Sequence, residues 1–388
     1  MIRARGVTPL PRDQFPVADR FKYLDHASAA APPTVVAHAL ARDASAATML
    51  GSASHRRRNE RVEQVRVTCA GLLGTSVDDV SFVRNTTAGL ALVANGLRWA
   101  PGDRVLVGDR DHPLTIGAWC ALAELGVAVD IVSGQGDGWA IPVEAFTEAL
   151  QSGGGRVRAV VVAWVNYARG WRHDLAALAA VAHEHGAILV VDLIQGLGVI
   201  PCDLTEWGVD AAVAGGQKWL LGPEGIGVLA TTADLRKRLR LLEPGHSSMA
   251  ETDNRFRFDP TLDLTSRRFE GGSWNRGGIA GLGAATDLLA GVGIAAVWAH
   301  VDHWCDRLVD GLTLLGATVL SDRSPEGRSA IVTVAFDSAD PADLVERLVS
   351  RGVLAAARGG GVRFSPHGWN DDDDLDATLD AVARAWVR

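Results

Sequence analysis

The stretch that decides the fold lies between Ala187 and Val228 and reads AILVVDLIQGLGVIPCDLTEWGVDAAVAGGQKWLLGPEGIGV. It begins with an apolar run of buried-strand type that ends in a carboxylate, Asp192. A second apolar run ends just before Gly215-Gly216-Gln217-Lys218. Because the carboxyl ends of parallel strands open into the ligand crevice of an α/β sheet, we expect Asp192 and Lys218 to face one crevice.

An acid and a lysine at the ends of two strands are the groups that pyridoxal 5'-phosphate (PLP) requires. The lysine amine forms a Schiff base with the cofactor aldehyde, and the carboxylate keeps the pyridine nitrogen protonated. A surface lysine and a helix-capping aspartate would give the same pattern, and spacing alone does not decide between the two interpretations. A PLP site is therefore one of two hypotheses at this point.

Short β-branched runs alternate with helical stretches from Gly102 to Ala230. This alternation is typical of βαβ units and predicts a mostly parallel sheet that is covered on both faces. After Gly293 the pattern changes to a long helix, a strand, a helix, a short β pair and a last helix, which predicts a smaller second α/β domain. The predicted strands of the larger domain are Arg104–Val107, Val127–Val132, Val157–Trp164, Ala187–Asp192, Asp210–Ala214 and Gly225–Leu229, and Leu114–Leu125 is predicted to be a helix.

Composition limits the possible partners. The chain has 388 residues, 47% hydrophobic and 22% charged, so a large buried core is expected. A net charge of −8 disfavours nucleic acid and anionic membrane surfaces. The longest apolar run, Ala159–Val165, has the length of a strand, and residues 1–20 lack the apolar stretch of a signal peptide. We therefore expect a cytoplasmic protein with no nucleic-acid and no membrane partner.

No metal is expected. The cysteines at positions 69, 120, 202 and 305 lie far apart and form no group of zinc-ligand spacing, so free thiols in a reducing compartment are expected. The acidic run Asp371–Asp374 stands where the last helix is predicted to begin, and carboxylates there favour the helix dipole.

Further motifs follow one another along the chain in a recognisable order. They are YLDHAS at Tyr23–Ser28, NTT at Asn85–Thr87, DHP at Asp111–Pro113, FEGGSWN at Phe269–Asn275 and VRFSPH at Val362–His367. Together with the Ala187–Val228 stretch, they resemble the class V aminotransferases and cysteine desulfurases, which are fold-type-I PLP enzymes. The SPH ending is nearer to the C–S lyase and isopenicillin-N-epimerase-like branches.

This resemblance implies the architecture in more detail. It predicts a large α/β domain with a mostly parallel seven-stranded sheet and a smaller C-terminal α/β domain. Residues 1–25 are expected to form an N-terminal arm associated with the small domain, residues 26–285 the large PLP-binding domain, and residues 286–388 the small domain.

The resemblance also assigns roles around the cofactor ring. Lys218 becomes the Schiff-base lysine and the proton shuttle at the substrate α-carbon, and Asp192 the partner of the pyridine nitrogen. Gln195 is expected beside the phenolic oxygen of the ring. His112 is expected to stack on the face opposite the lysine, where an imidazole can also transfer protons.

The phosphate is expected at the turn before a helix, where Thr86 and Thr87 supply hydroxyls and backbone N–H groups. A plain N-cap would explain this turn equally well. In the family, a Ser or Thr at the position of Ser273 reaches the phosphate from the neighbouring subunit, which implies a homodimer with shared sites. The family usually has Ser and His where this chain has Gly215 and Gln217, so two phosphate contacts are expected to be lost or altered.

Arg363 is the expected anchor of the substrate α-carboxylate, because a guanidinium fork holds a carboxylate through two parallel hydrogen bonds. The family uses an arginine at this position for that purpose. Asn166 resembles the asparagine that assists the same carboxylate or the ring oxygen. Ser28, in the first motif, is also assigned to the substrate site.

The clue to the reaction is a missing cysteine. Cysteine desulfurases carry a nucleophilic cysteine on a loop shortly before the carboxylate-binding arginine, whereas residues 306–388 contain none and the stretch Val353–Gly361 is too short for such a loop. We therefore expect β-elimination of a thiol or sulfenate from an S-substituted cysteine, with pyruvate and ammonia formed after hydrolysis. We place this reaction in sulfur-containing secondary metabolism. The alternatives are oxidative deamination coupled to decarboxylation of a cysteine conjugate, transamination or epimerisation, and a PLP-binding regulatory module without turnover.

Overall fold

The structure, a computed structural model, describes residues 8–134, 136, 139–250, 261–337 and 339–386. Its strands are β1 (Lys22–Tyr23), β2 (Val80–Val83), β3 (Arg104–Gly108), β4 (Ala128–Val132), β5 (Val157–Ala163), β6 (Ile188–Asp192), β7 (Ala211–Gly215), β8 (Gly227–Thr231), β9 (Thr318–Val319), β10 (Val332–Ala335), β11 (Val353–Leu354), β12 (Ala356–Arg358) and β13 (Gly361–Phe364). Its α-helices are α1 (Thr34–Leu50), α2 (His55–Leu73), α3 (Thr86–Gly96), α4 (Pro113–Cys120), α5 (Val143–Ser152), α6 (Leu175–Glu184), α7 (Leu204–Trp207), α8 (Ala233–Arg238), α9 (Arg276–Val292), α10 (Ile294–Leu314), α11 (Pro341–Val349) and α12 (Asp372–Trp386).

A seven-stranded sheet forms the centre of the larger unit, with the strand order β2-β8-β7-β6-β5-β3-β4. The pairs from β7 through β6, β5 and β3 to β4 are parallel, and only β8 runs antiparallel to its two neighbours. The predicted α/β class with a mostly parallel seven-stranded sheet is therefore confirmed.

Apolar residues on both faces of the strands explain why this sheet is covered on both sides. Along β3, Val105 and Val107 pack into a core with residues of α3 and α4, whereas Leu106 packs into the core on the opposite face. That second core includes Phe146 of α5 and Leu178 of α6. Alternation along one strand thus places one helical layer on each face, as expected for buried parallel strands.

Strand register determines which chain segments meet at the site. Asp192, at the end of β6, is paired with Ala163 at the end of β5 and with Val213 of β7. The loops that leave β5, β6 and β7 therefore emerge side by side at one edge of the sheet. This edge is the crevice predicted from the sequence.

The smaller unit is built on an antiparallel sheet in the order β12-β13-β10-β9, with α10, α11 and α12 packed around it. The N-terminal segment joins this unit, because β1 pairs in parallel with β11 and the Leu10 N–H donates to the Gly368 carbonyl at 3.0 Å. Residues 1–7 of the predicted arm lie outside the described residues.

Two predicted boundaries differ from the structure. The predicted division between residues 285 and 286 falls inside α9, which packs against α1 and α2, and the chain turns instead at Gly293 with a φ of 87°. The predicted helix Leu114–Leu125 ends as an α-helix at Cys120 and continues as the 3₁₀ turn Ala121–Leu125.

In the described part of the chain, no single helix has the length and apolar character needed to cross a membrane. Helices α9 and α10 reach that length and apolar character only as a pair bent by 79°. Both helices bury apolar side chains in the core of the protein, including Ile279, Leu282, Val297 and Leu308.

Candidate active site

A cleft of about 290 Å³ lies at the edge where the parallel strands end. Segments that follow β3, β5, β6 and β7 form its walls, together with the start of α3. It brings together all the residues that were predicted to hold the cofactor, except Ser273. The lining residues are Asn85, Thr86, Thr87, His112, Leu114, Thr115, Ala163, Val165, Tyr167, Asp192, Ile194, Gln195, Gln217 and Lys218.

Asp192 is the last residue of β6 and is only 5% exposed. Its Oδ2 accepts a hydrogen bond of 2.8 Å from Thr115 Oγ1, and its Oδ1 accepts one of 3.0 Å from the Ile194 N–H. Burial raises the pKa of Asp192, whereas these two hydrogen bonds and the charge of Lys218 act in the opposite direction. The carboxylate is thus fixed in orientation at the base of the cleft.

Lys218 follows β7 and is largely buried. Burial lowers the pKa of its amine to about 8, against the opposing effect of Asp192. The amine makes no hydrogen bond or ion pair with any described residue. Next to it, Trp219 is fully buried and holds the backbone in place. An amine with this pKa is partly neutral near physiological pH, as a nucleophile or proton acceptor requires.

Gln195 is held at both ends of its side-chain amide. Its Oε1 accepts a hydrogen bond of 3.0 Å from Trp219 Nε1, and its Nε2 donates one of 3.0 Å to the Ala27 carbonyl. An amide nitrogen carries two hydrogens, so one donor remains for a ligand in the cleft. The predicted contact with the phenolic oxygen of the ring is compatible with this geometry and stays a prediction.

His112 is the N-cap of α4, and its Nδ1 accepts a hydrogen bond of 3.2 Å from the Leu114 N–H. In the neutral ring, the proton is therefore on Nε2. The ring meets Tyr167 edge to face, with 4.9 Å between the centroids. Burial lowers the pKa of His112, and the charges of Lys218 and Arg358 lower it further, so the imidazole is neutral near pH 7.

The start of α3 forms the end of the cleft at which the phosphate is predicted. Asn85 is the N-cap of this helix, with its Oδ1 accepting from the Ala88 N–H at 2.8 Å. Thr86 Oγ1 accepts a hydrogen bond of 3.0 Å from the Gly215 N–H, which ties the helix to the end of β7. The turn is thus an N-cap, and its position on the cleft also directs the positive end of a helix dipole toward a ligand.

Gly215 and Gln217, the two departures from the family pattern, are neighbours in space. A Cβ atom on residue 215 would lie 2.4 Å from Gln217 Oε1. The glutamine side chain therefore occupies the space that a serine at position 215 would need. One substitution accommodates the other, and Gln217 itself lines the cleft.

Arg363, on β13, is 1% exposed and lies where β13 approaches the N-terminal segment. Its Nη2 donates to Asp25 Oδ1 at 2.8 Å and to Ser28 Oγ at 2.6 Å, and its Nη1 donates to the Tyr167 carbonyl at 2.6 Å. Its Nε has no hydrogen-bond partner among the residues that the structure describes. Burial lowers the pKa of Arg363, and Asp25 opposes this effect. Ser28 therefore contacts the predicted carboxylate anchor directly.

Asn166 does not line the cleft. Its Oδ1 accepts from the N–H groups of Ala168 and Arg169, both at 3.0 Å, and its Nδ2 donates to the Arg110 carbonyl at 3.0 Å. The side chain thus folds the turn after β5 and holds the loop that precedes His112. In this structure Asn166 positions neighbouring residues, and its predicted contact with substrate stays a prediction.

Ser273 lies away from the cleft within one chain. It is exposed on the segment before α9 and lines a different cavity, of about 690 Å³. Glu270 anchors this segment, because its carboxylate accepts hydrogen bonds from the buried Arg66, from the Phe82 N–H and from Trp274 Nε1. The predicted contact from a neighbouring subunit is neither made nor tested within a single chain.

Sequence reasoning missed several residues of this site. Thr115 and Tyr167 line the cleft, and Asp25 pairs with Arg363, although no role was predicted for any of them. Asp111, beside His112, is buried and accepts from the Ala163 N–H at 2.9 Å, and burial together with Asp192 raises its pKa to about 8. Asp25 and Asp111 lie within the YLDHAS and DHP motifs, but their contacts could not be predicted because their partners are far away in the sequence.

A model of the aminotransferase class-V family matches residues 22–365. The chain belongs to this family. The match extends from the YLDHAS motif to Ser365, so it covers every motif on which the predicted resemblance was based except the last two residues of the SPH ending. The predicted family and fold type are confirmed.

Relatives that are named as cysteine desulfurases align with most of the chain. A probable cysteine desulfurase of Methanothermobacter thermautotrophicus is 27% identical, over 96% of this chain and 97% of the relative. A cysteine desulfurase of Klebsiella pneumoniae is 33% identical, over 74% of this chain and 72% of the relative.

Solved structures of similar fold include a complex of the cystine C–S lyase C-DES with its reaction product cysteine persulfide. It has a TM-score of 0.87 at 22% identity, over 95% of this chain and 99% of that chain. The apo cysteine desulfurase of Thermococcus onnurineus has a TM-score of 0.85 at 21% identity, over 97% and 98% of the two chains.

Membership of the class V family confirms PLP as the cofactor, and the residues of the cleft fit it. The amine of Lys218 has no hydrogen-bond or ion-pair partner among the described residues, and Asp192 presents a fixed carboxylate in the same cleft. The start of α3 offers Thr86 and Thr87 where an anion is favoured. Together these groups provide an imine-forming amine, a partner for a protonated ring nitrogen and a phosphate cradle.

Proposed function

We propose that this class V enzyme cleaves the C–S bond of an S-substituted cysteine by β-elimination. The observation that carries the proposal is a partly neutral amine, Lys218, and a carboxylate anchor, Arg363, beside a cleft that no thiol of the chain lines. The names of the relatives, cysteine desulfurase and cystine C–S lyase, support a cysteine-derived substrate.

PLP, when bound, supplies a protonated ring that accepts the electron pair left at the substrate α-carbon. Lys218 Nζ is the group that takes the α-proton, because its lowered pKa leaves part of the amine neutral. Arg363 holds the α-carboxylate, and Asp25 keeps the guanidinium in place through the ion pair at 2.8 Å. These contacts orient the Cα–H bond for removal of the proton.

His112 Nε2–H is the hydrogen-bond donor that we assign to the departing sulfur, and the Lys218 ammonium, which holds the α-proton after its removal, is the acid that delivers a proton to that sulfur. The Cα–H and Cβ–S bonds break, a carbon–carbon double bond forms, and the sulfur leaves as a thiolate that takes one proton. Because Nδ1 accepts from the Leu114 N–H, the proton of the neutral ring is on Nε2. Water then hydrolyses the released enamino acid to pyruvate and ammonia.

The cysteines of the chain favour elimination over a persulfide route. Cys69 and Cys305 are buried, Cys202 is mostly buried, and Cys120 is exposed at the end of α4. The hairpin before Arg363 turns at Gly359 and Gly360, which have positive φ angles of 60° and 82°. This tight turn leaves no loop that could carry a nucleophilic thiol to the substrate.

The test is to supply the holoenzyme with S-methyl-L-cysteine and to measure pyruvate and ammonia. We expect both products, with activity lost in Lys218→Ala and unchanged in Cys120→Ser, the matched control for the exposed thiol. A product that retains the amino group would contradict the lyase proposal. Sulfide release from free cysteine that is lost in Cys120→Ser would instead indicate desulfuration through a persulfide.

A homodimer with shared sites belongs to the same proposal. The exposed Ser273 lies beside a large cavity next to the start of α3, which is compatible with a neighbouring subunit. Sedimentation would give the oligomeric state, and PLP titration of Ser273→Ala would show whether this hydroxyl contributes to binding. A cytoplasmic location and a place in secondary metabolism stay predictions.

A further inference from the structure

Arg358 shares a face of the small sheet with the carboxylate anchor Arg363. In the β12–β13 hairpin, Ala356 is paired with Arg363, and Arg358 is paired with Gly361. Side chains of paired residues lie on the same side, and residues two apart along a strand also share a side. The side chains of Arg358 and Arg363 therefore project from the same face.

Strand geometry gives the spacing of these two arginines. With a rise of about 3.3 Å per residue and about 4.8 Å between strands, their Cα atoms are roughly 8 Å apart. The residue opposite Arg358 is Gly361, which has no side chain to fill the space between them. Two anionic groups of one small ligand can therefore reach the two guanidinium groups together.

Arg358 has no counter-ion in the part of the chain that the structure describes. Its side chain is exposed, and its Nη1 donates to the Ala357 carbonyl at 2.8 Å. Among the described residues, no carboxylate lies within ion-pair distance of its guanidinium. Arg363, by contrast, has Asp25 as a counter-ion at 2.8 Å.

Electrostatic effects indicate that this charge is close to the catalytic groups. Besides burial, Arg358 contributes to lowering the pKa values of Lys218, His112 and Arg363. Charge interactions at an exposed position weaken strongly beyond roughly 10 Å. The Arg358 side chain is therefore close enough to these three groups for its charge to act on them.

Two further arginines are linked to the hairpin by direct or shared contacts. Arg169 donates from Nε to the Gly359 carbonyl at 2.8 Å, in the turn that follows Arg358. The guanidinium groups of Arg169 and Arg110 lie 4.7 and 4.8 Å from the ring centre of Trp139. The hydrogen bond from Arg169 therefore holds the turn of the hairpin that carries Arg358.

We propose that Arg358 binds a carboxylate on the sulfur substituent, so that the substrates are S-(carboxyalkyl)cysteines. The inference rests on the proposed C–S lyase function and names its substrate class. Arg363 takes the α-carboxylate, and the substituent extends from the β-carbon toward Arg358. The bonds broken and formed are those of the β-elimination, and the thiol product carries the second carboxylate.

The test compares two nearly isosteric substrates, S-carboxymethyl-L-cysteine and S-carbamoylmethyl-L-cysteine, which differ in charge. For the wild-type holoenzyme we expect kcat/KM for pyruvate formation to be about tenfold or more higher with the carboxylate. Arg358→Gln should remove this preference by lowering only the value for the carboxylate substrate, and Arg358→Lys should retain part of it. Arg384→Gln, at an exposed position on α12, is the matched control and should leave both values unchanged.

A binding measurement separates this inference from the proposed function. Titration of the holoenzyme with each compound, followed by the visible absorbance of the cofactor, gives a Kd whether or not pyruvate forms. Tighter binding of the carboxylate that is lost in Arg358→Gln supports the inference even if no elimination occurs, in which case only the lyase proposal fails. Equal Kd values in the wild type, or an equal loss for both compounds in Arg358→Gln, would overturn the inference.

Discussion

The two sides of the active site are built in different ways. The cofactor side consists of consecutive strand ends of one sheet, where Asp192 and Lys218 follow buried strands. The substrate side joins β13, the N-terminal segment and the turn after β5, through contacts of Arg363 with Asp25, Ser28 and the Tyr167 carbonyl. This difference suggests that the cofactor side governs the chemical step, whereas the substrate side governs substrate binding.

The largest expected effect is on the cofactor side. Asp192→Ala removes the anion opposite the protonated ring nitrogen, so kcat should fall by about 10²–10³-fold with a smaller change in KM. Steady-state kinetics of the holoenzyme measure this effect, and visible absorbance checks that cofactor is bound. Thr115→Val, which removes one hydrogen bond to Asp192 and leaves the charge, should cost much less. A fall confined to KM would contradict the assignment.

On the substrate side, Arg363→Lys should raise KM by roughly tenfold to a hundredfold, because a charged hydrogen-bonded contact contributes about 1.5–3 kcal/mol. Asp25→Asn should raise KM in the same direction but by less, since it loosens the guanidinium without removing it. The kcat values should change less than the KM values. If Arg363→Lys lowered kcat and left KM unchanged, the division between the two sides would be wrong.

The loss of stability at acid pH tests the region where the two sides of the active site meet. His26 and His367 are fully buried, with ring centroids 5.3 Å apart, beside Trp219. Burial lowers the pKa of His367 to about 4 and also that of His26, so both rings are neutral in the folded protein. The unfolded chain takes up these protons below about pH 6.5, and stability is therefore lost as the pH falls from there toward pH 4.

For His367 alone, the loss between pH 7 and pH 5 should be about 2 kcal/mol in the free energy of unfolding. Urea unfolding of wild type and His367→Gln at both pH values measures this difference. The variant should lose less stability than the wild type, whereas His38→Gln, at an exposed position, should behave as the wild type does. Equal acid sensitivity of wild type and His367→Gln would rule out this histidine as the cause.

The smallest effect concerns Gly215 and Gln217. Gly215→Ser places a Cβ atom 2.4 Å from Gln217 Oε1, and crowding of this kind costs about 1 kcal/mol, or roughly fivefold in the Kd of PLP. The double variant Gly215→Ser with Gln217→His, which restores the usual family pair, should bind PLP more tightly than the single serine variant. Titration of the apoenzyme with PLP measures both, and strictly additive effects would contradict the coupling.

The sequence predicted the cofactor side better than the substrate side for a physical reason. Asp192 and Lys218 could be placed because a buried parallel strand delivers its next residues to a known edge of the sheet. The ion pair between Asp25 and Arg363 joins residues 338 positions apart, and no local pattern specifies such a contact.

Local patterns did not show which backbone groups a polar side chain would bind, or where a long helix would end. Asn166 was predicted to contact substrate, but its amide is engaged by the backbone of its own turn and by Arg110. The predicted domain boundary at residue 285 failed because the helical pattern of α9 continues to Val292, and a glycine at position 293 was needed to end it.

The parallel pairing of β1 with β11 has a consequence for the order in which the protein matures during synthesis. Residues 22–23 are synthesised well before their partners at 353–354. The sheet and its lysine can therefore be in place while the carboxylate anchor is still missing. A nascent chain would acquire the capacity to hold its cofactor before it could recognise an amino acid, so substrate selectivity is completed after cofactor binding.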